Sequence, residues 1–106
     1  MKVCQIALIG ENIEWVLRGI FIYKTNKLIL ISTNNSEFIE KANEIKERLL
    51  DSEFEKSPLD IEHLIIEGEN PIEFSRILKN TILQHHKKGF NIEINATTGL
   101  RIWKSL

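Results

Sequence analysis

Residues 3–9, which read VCQIALI, decide the fold. They form a nearly continuous apolar run of strand length, the pattern of a strand that is covered on both faces of a parallel sheet. Gly10, Glu11 and Asn12 end this run, and apolar residues recur at helical spacing from Ile13 onward. The chain therefore opens with a β-α unit whose strand is buried on both sides.

Three further strand candidates follow, at residues 27–32 (KLILIS), 61–66 (IEHLII) and 90–95 (FNIEIN), each leading into an apolar helical pattern. The helix that begins after Asn70 has the clearest start signal, with a capping residue, proline at the first helical position and glutamate three residues after the cap. Gly89 is expected to end this helix. The alternating order predicts an α/β fold: a Rossmann-like three-layer sandwich with a mainly parallel sheet of about four strands and helices on both faces.

Length and composition exclude several classes of protein. The 106 residues suit one domain, spanning residues 1–106, and the 14 Lys and Arg against 15 Asp and Glu leave a net charge of −1, with no basic excess for nucleic acid. No apolar run approaches the roughly 18 residues of a membrane span. Cys4, the single cysteine, is expected in the core of a protein from a reducing compartment, predicted to be cytoplasmic. Because the chain ends at Leu106 within a predicted helix, we expect a domain that is incomplete at its C-terminus.

Four loops follow the predicted strands, where open parallel sheets bind their ligands. They comprise residues 10–12, 33–36, 67–70 and 95–99, and they are rich in amides, hydroxyls and glycine and contain no lysine. Such groups can bind bases and sugars, while free N–H groups at the helix starts can meet a phosphate. Arg101 is the one cation placed to help. The alternative is that these residues only cap helices and form turns.

Several kinds of site are excluded by missing motifs. The chain has no G-x-x-x-x-G-K-[ST], no G-x-G-x-x-G after the first strand and no G-x-S-x-G, which argues against a P-loop nucleotidase, ordinary dinucleotide binding and the usual hydrolase elbow. His85 and His86 are adjacent on a predicted helix and would point about 100° apart, and His63 lies inside a strand. The pattern predicts solvated histidines and neither a metal site nor a cofactor.

The first predicted helix has apolar residues on more than one side. Trp15 and Ile22 fall on a different stripe from the residues expected to face the core, which are Ile13, Val16, Leu17 and Ile20. A helix that is apolar on most sides usually has a neighbour on both sides. Trp15 therefore either packs under a neighbouring loop or forms a dimer contact near the mouth of the expected ligand pocket.

The segment Asn95-Ala96-Thr97-Thr98-Gly99-Leu100-Arg101 resembles the signature of the CRISPR-associated Rossmann fold (CARF) domain family. In that family an Asn or Asp and a Ser or Thr precede a glycine and then a Lys or Arg, at the turn from the fourth strand to its helix. The start of the chain is also similar to the family, since a short apolar strand leads into Gly10-Glu11-Asn12-Ile13.

The resemblance implies a sensor domain that forms a homodimer and binds a cyclic oligoadenylate, expected to be tetra-adenylate, across the two-fold axis. It also implies control of an attached or partner effector, a winged-helix transcription regulator in CRISPR-linked defence, with DNA bound only by residues outside this chain. The expected ligand-binding residues are Gly10, Glu11, Asn12, Thr33, Asn34, Asn95, Thr97, Thr98, Gly99 and Arg101. Two alternatives stay open: a metal-independent ring nuclease that uses Thr97 or Thr98 to position a ribose hydroxyl, and a protein-association domain without a ligand.

Overall fold

The computed structural model describes residues 2–10, 13–22, 24–50, 60–67 and 70–95, with only the backbone described at residues 15, 21 and 22. Strands and helices alternate through these residues. They are β1 (Val3–Leu8), α1 (Glu14–Ile22), β2 (Lys27–Thr33), α2 (Ser36–Leu50), β3 (Asp60–Ile66), α3 (Pro71–Lys87) and β4 (Asn91–Asn95). Each predicted strand agrees with the observed one to within one residue at either end. The helix predicted from Leu100 onward lies outside the described residues.

The four strands form one sheet in the order β3-β2-β1-β4, and every pairing is parallel. In register, Ala7 of β1 lies between Leu30 of β2 and Asn95 of β4, and Leu30 lies beside His63 of β3. The chain steps outward from β1 to β3 and then returns to the other side of β1 for β4. The all-parallel sheet confirms the predicted α/β, Rossmann-like class. Its strand order reverses between β1 and β4.

The core consists of two apolar clusters that share the strands. The first cluster takes Ala7 and Ile9 from β1 and is completed by residues of α1 and α2, whereas the second takes Ile6 and Leu8 and is completed by residues of α3. Because successive side chains of a strand point to opposite faces, the two clusters lie against opposite faces of the sheet. We call these the α1/α2 face and the α3 face.

Helix α3 begins and ends as its sequence predicts. Asn70 adopts an extended backbone, and its Oδ1 accepts hydrogen bonds from the backbone N–H groups of Ile72 at 3.1 Å and Glu73 at 3.2 Å. Pro71 takes the first helical position, where its missing N–H group costs nothing. Gly89 follows the helix with φ of +90°, a conformation in which only glycine is unstrained. Local sequence therefore fixes both ends of α3.

The prediction of solvated histidines is wrong for His85, whose side chain is only 3% exposed. Its Nδ1 lies 2.8 Å from the backbone oxygen of Thr81, so this nitrogen carries the proton and donates it. The ring packs against Phe90 with centroids 5.9 Å apart. Residues 81 and 85 continue the buried stripe that starts at Phe74, and a helix turns these positions toward the sheet whether or not they are apolar.

Candidate functional site

The loops expected to bind a ligand leave the sheet at its carboxyl edge. Gly10 is buried just beyond β1, where the N–H of Ile9 still donates to the oxygen of Ile31 in β2 at 2.9 Å. Thr33 ends β2 on one side of β1, and Asn95 ends β4 on the other. The structure thus brings Gly10, Thr33 and Asn95 to adjacent strand ends around the point where the strand order reverses.

The loop between β2 and α2 is held by hydrogen bonds of its own polar residues. Thr33 is 6% exposed, and its Oγ1 accepts from the N–H of Asn35 at 3.4 Å. The Oδ1 of Asn35 accepts from the N–H of Glu37 at 2.9 Å, which satisfies a free donor in the first turn of α2. Capping therefore accounts for Asn35, while the neighbouring Asn34 is exposed at the carboxyl edge of the sheet.

Asn95 is packed closely against β1 and α1. Its Nδ2 donates to the Oε1 of Gln5 at 3.4 Å, and Gln5 itself is fully buried. Gly19 of α1 is the residue that makes room, since a Cβ atom there would lie 2.5 Å from Asn95 Nδ2 and 2.9 Å from Gln5 Oε1. Contacts between Cβ and other heavy atoms at such distances do not occur without displacement. The absence of a side chain at Gly19 thus lets the Asn95 amide lie beneath α1.

A second polar pair joins β2 to β3. The Oγ of Ser32 lies 2.7 Å from the Nε2 of His63, and Ser32 is fully buried. Burial lowers the pKa of His63, and the positive charge of Lys46 on α2 lowers it further. A hydroxyl can donate or accept, so a neutral imidazole can bond to Ser32 in either tautomer. The pair stabilises the side of the sheet remote from the β1–β4 reversal.

Cys4 is buried within the α3-face cluster, as predicted for a core residue. Burial raises the pKa of its thiol to about 11, so the thiol stays protonated near neutral pH and lacks the nucleophilic thiolate. Within the part of the chain that the structure describes, His, Cys, Asp and Glu nowhere gather in a group of three that could hold a metal ion.

The remaining expected ligand residues lie outside the described part of the chain. This applies to Glu11, Asn12, Thr97, Thr98, Gly99 and Arg101. The side chain of Trp15 is likewise outside it, so the choice between a loop contact and a dimer contact stays a prediction. The described members of the set, at the ends of three neighbouring strands, offer neutral groups that donate and accept hydrogen bonds, which is the chemistry of binding.

Gln5 and Gly19 were not predicted as site residues, although each carries a signal. Gln5 is the one polar residue within the run at residues 3–9, and a polar side chain in a strand buried on both faces needs a partner. Gly19 interrupts a helix at a cost of about 1 kcal/mol relative to alanine, which indicates that another group approaches closely. The identity of the approaching group depends on the strand order, which the sequence does not contain.

Comparison with known proteins identifies no relative. No protein-family model matches the chain, and no curated protein or solved structure matches it at a significant level. Among the described residues, moreover, no helix combines the length and apolar character needed to cross a membrane. The function is therefore inferred from the geometry of the sheet and the residues at its carboxyl edge.

Proposed function

We propose that this chain is a ligand-binding regulatory domain of the CARF type, which dimerises and binds a cyclic oligoadenylate. The observation that carries the proposal is the strand order β3-β2-β1-β4. Because this order reverses between β1 and β4, their carboxyl ends flank the position at which open parallel sheets bind nucleotides. The same two strand ends lead into residues 10–12 and 95–101, the two segments on which the CARF resemblance depends.

The residue types around these strand ends support an adenylate ligand. The amide of Asn95 and the hydroxyls of Thr97 and Thr98 can each donate and accept hydrogen bonds, as the base edges and ribose of an adenylate require. Arg101 would supply charge-assisted hydrogen bonds to a phosphate, which are roughly twice as strong as neutral ones. Gly99 would let backbone N–H groups approach the same phosphate.

The proposed output is control of an attached or partner winged-helix transcription regulator. Its support is the CARF resemblance together with the charge of the chain. DNA binding draws its affinity from many contacts between cations and phosphates, and a net charge of −1 supplies no such excess. DNA would accordingly be bound by residues outside this chain, and this domain would report the presence of the ligand.

The proposed dimer places Trp15 at the contact between two copies. Trp15→Ala removes a large apolar side chain, so we expect sedimentation velocity to show a shift from dimer toward monomer. The matched control is Ile72→Ala, which truncates an apolar side chain that is 81% exposed on α3 and should leave the dimer intact. An unchanged mass for Trp15→Ala at every concentration would contradict this contact.

Isothermal titration with cyclic tetra-adenylate tests ligand binding directly. The wild type should bind, and Arg101→Ala should weaken binding at least tenfold, because a charge-assisted hydrogen bond contributes roughly 1.5–3 kcal/mol. Arg76→Ala is the matched control, since it removes the same charge from an exposed position on α3 and should bind like the wild type. Linear tetra-adenylate controls for general affinity toward the polyanion.

Three outcomes separate this proposal from its alternatives. No binding by the intact dimer would contradict it. Linear products after incubation without metal would identify a ring nuclease instead, with Thr97 and Thr98 as the residues to substitute next. A chain that binds no ligand, and whose Thr98 and Arg101 variants differ only in stability, would be a protein-association domain.

A further inference from the structure

A continuous chain of polar groups runs beneath α1 from one end of the sheet to the other. Gln5, fully buried in β1, donates its Nε2 to the Oγ1 of Thr25 at 3.1 Å and accepts the Nδ2 of Asn95 at its Oε1 at 3.4 Å. Thr25 lies in the turn between α1 and β2, at the amino edge of the sheet. Gln5 therefore joins the end of β4 to a turn at the opposite edge.

The hydrogen bonds in this series share one direction, which a backbone carbonyl at the far end favours. The Oγ1 of Thr25 lies 3.5 Å from the oxygen of Ile20, which can only accept, so the hydroxyl donates its single proton there. Thr25 must then accept from Gln5, which turns the Gln5 amide nitrogen toward Thr25 and its oxygen toward Asn95. Asn95 accordingly presents its nitrogen, and not its oxygen, to Gln5.

Close packing at Gly19 reinforces this arrangement. The Cα of Gly19 faces both amides, and a Cβ there would displace Asn95 Nδ2 and Gln5 Oε1. With glycine at this position, α1 packs directly on the pair, in which Gln5 is fully buried and Asn95 half-buried. Asn95 is thus held on one side by β1 and on another by the backbone of α1.

From these contacts we infer that Gln5 is a positioning residue for Asn95 in ligand recognition, an inference that rests on the proposed function. An asparagine amide that rotates by half a turn exchanges its donor and acceptor, so the bond to Gln5 favours one of the two patterns that Asn95 could offer to a ligand. The Ile20–Thr25–Gln5 chain holds one pattern before the ligand arrives. Such preorganisation raises the affinity for the ligand, because the Asn95 side chain has already lost its conformational entropy when the protein folds.

The first experiment measures the orientation of Asn95 without any ligand. In ¹⁵N-resolved spectra, we expect the Asn95 Nδ2 protons to exchange with water about fivefold faster in Gln5→Met than in the wild type, the ratio that corresponds to one neutral hydrogen bond. Thr25→Val, which removes the hydrogen bond between Thr25 and Gln5 and leaves β1 unchanged, should also make the exchange of the Asn95 Nδ2 protons faster. Ile6→Val, on the neighbouring β1 residue that faces the other side, is the matched control and should leave it unchanged.

The second experiment measures the consequence for binding of cyclic tetra-adenylate. Gln5→Met and Thr25→Val should each raise the Kd about fivefold, while Ile6→Val should bind within a factor of two of the wild type. Equal exchange rates for Asn95 in all variants, or equal Kd values despite faster exchange, would overturn the inference. Absence of binding by the wild type would overturn the proposed function, and the exchange rates would still show whether Gln5 orients Asn95.

Discussion

The two faces of the sheet are both mainly apolar, but on one of them the central strands also carry polar residues that form hydrogen bonds to the outer strands. On the α3 face, the central strands contribute apolar side chains such as Ile6 and Ile29, both fully buried. On the α1/α2 face, the same strands contribute Gln5 and Ser32, also fully buried, beside the apolar residues of that cluster. Each polar residue finds its partner on the adjacent outer strand: Asn95 on β4 for Gln5, and His63 on β3 for Ser32.

Buried apolar residues and hydrogen-bonded polar residues contribute differently to the fold. A buried apolar side chain contributes roughly 1.5–3 kcal/mol, whereas a neutral hydrogen bond contributes a net 0.5–1.5 kcal/mol because its partners were bonded to water before folding. A hydrogen bond, however, requires one distance and one direction, which apolar contacts do not. We therefore expect the buried apolar side chains of both faces to supply most of the stability, and the buried polar residues of the α1/α2 face to orient the groups near the proposed ligand.

The largest expected effect tests the α3 face. Ile29→Ala removes three carbons from the middle of β2 at a fully buried position. Urea denaturation should show that the free energy of unfolding falls by about 3 kcal/mol, because both apolar burial and packing are lost. Exchange of the Asn95 side chain should not change, since Ile29 points away from it.

The control for Ile29→Ala is Ile72→Ala, which truncates the same residue type at a position 81% exposed on α3. This variant should stay within about 0.5 kcal/mol of the wild type. If Ile29→Ala lost less than about 1 kcal/mol, or lost no more than Gln5→Met, the division of roles between buried apolar and buried polar residues would be wrong.

A smaller effect is expected at Gly19, on the α1/α2 face. Alanine is favoured over glycine within a helix by about 1 kcal/mol, but its Cβ would meet Asn95 Nδ2 at 2.5 Å and Gln5 Oε1 at 2.9 Å. Overpacking of this kind costs roughly 1–3 kcal/mol, so we expect Gly19→Ala to lower the free energy of unfolding by about 1 kcal/mol.

A double-mutant cycle identifies the source of the Gly19→Ala effect. In an Asn95→Ala background the contact at 2.5 Å is gone and only Gln5 Oε1 at 2.9 Å remains, so the same substitution should cost less. A coupling energy of about 1 kcal/mol would show that Gly19 and Asn95 act on each other. Additive effects in the cycle would contradict the close approach that the inference about Gln5 requires.

Much of the fold could be predicted from local patterns. Residues 3–9 and 27–32 are nearly continuous apolar runs, which indicates strands covered on both faces, and Asn70 with Pro71 marks the start of α3 by capping chemistry alone. The order in which the strands pair depends on contacts between residues far apart in sequence. No local pattern encodes that order, although it decides that β1 lies beside β4.

The candidate site was predictable to a lesser degree for the same reason. Gly10, Thr33 and Asn95 follow strands, and the rule for parallel sheets predicts their shared edge. The partner of Gln5 and the partner of Ser32 both belong to adjacent strands and follow only from the strand order. The prediction for His85 was wrong for a different reason. Helical spacing places residue 85 on the buried stripe of α3, but the residue type favoured a solvated side chain.

The smallest expected effect concerns pH and the Ser32–His63 pair of the α1/α2 face. Burial, with the charge of Lys46, holds the pKa of His63 below its usual value of about 6.5. As the pH falls through that value, the unfolded chain binds a proton at His63 that the folded chain does not bind, so the free energy of unfolding falls. The loss begins near the unfolded pKa and is complete once the pH is below the folded one.

Urea denaturation at pH 7.5 and pH 5.5 measures this loss, and His63→Gln should reduce it, because glutamine can bond Ser32 but does not titrate. His86→Gln is the matched control, since it replaces an exposed histidine of α3. The difference between the two variants isolates the buried position. If His63→Gln lost as much stability on acidification as the wild type, the burial of a neutral His63 would not be the cause of the pH dependence.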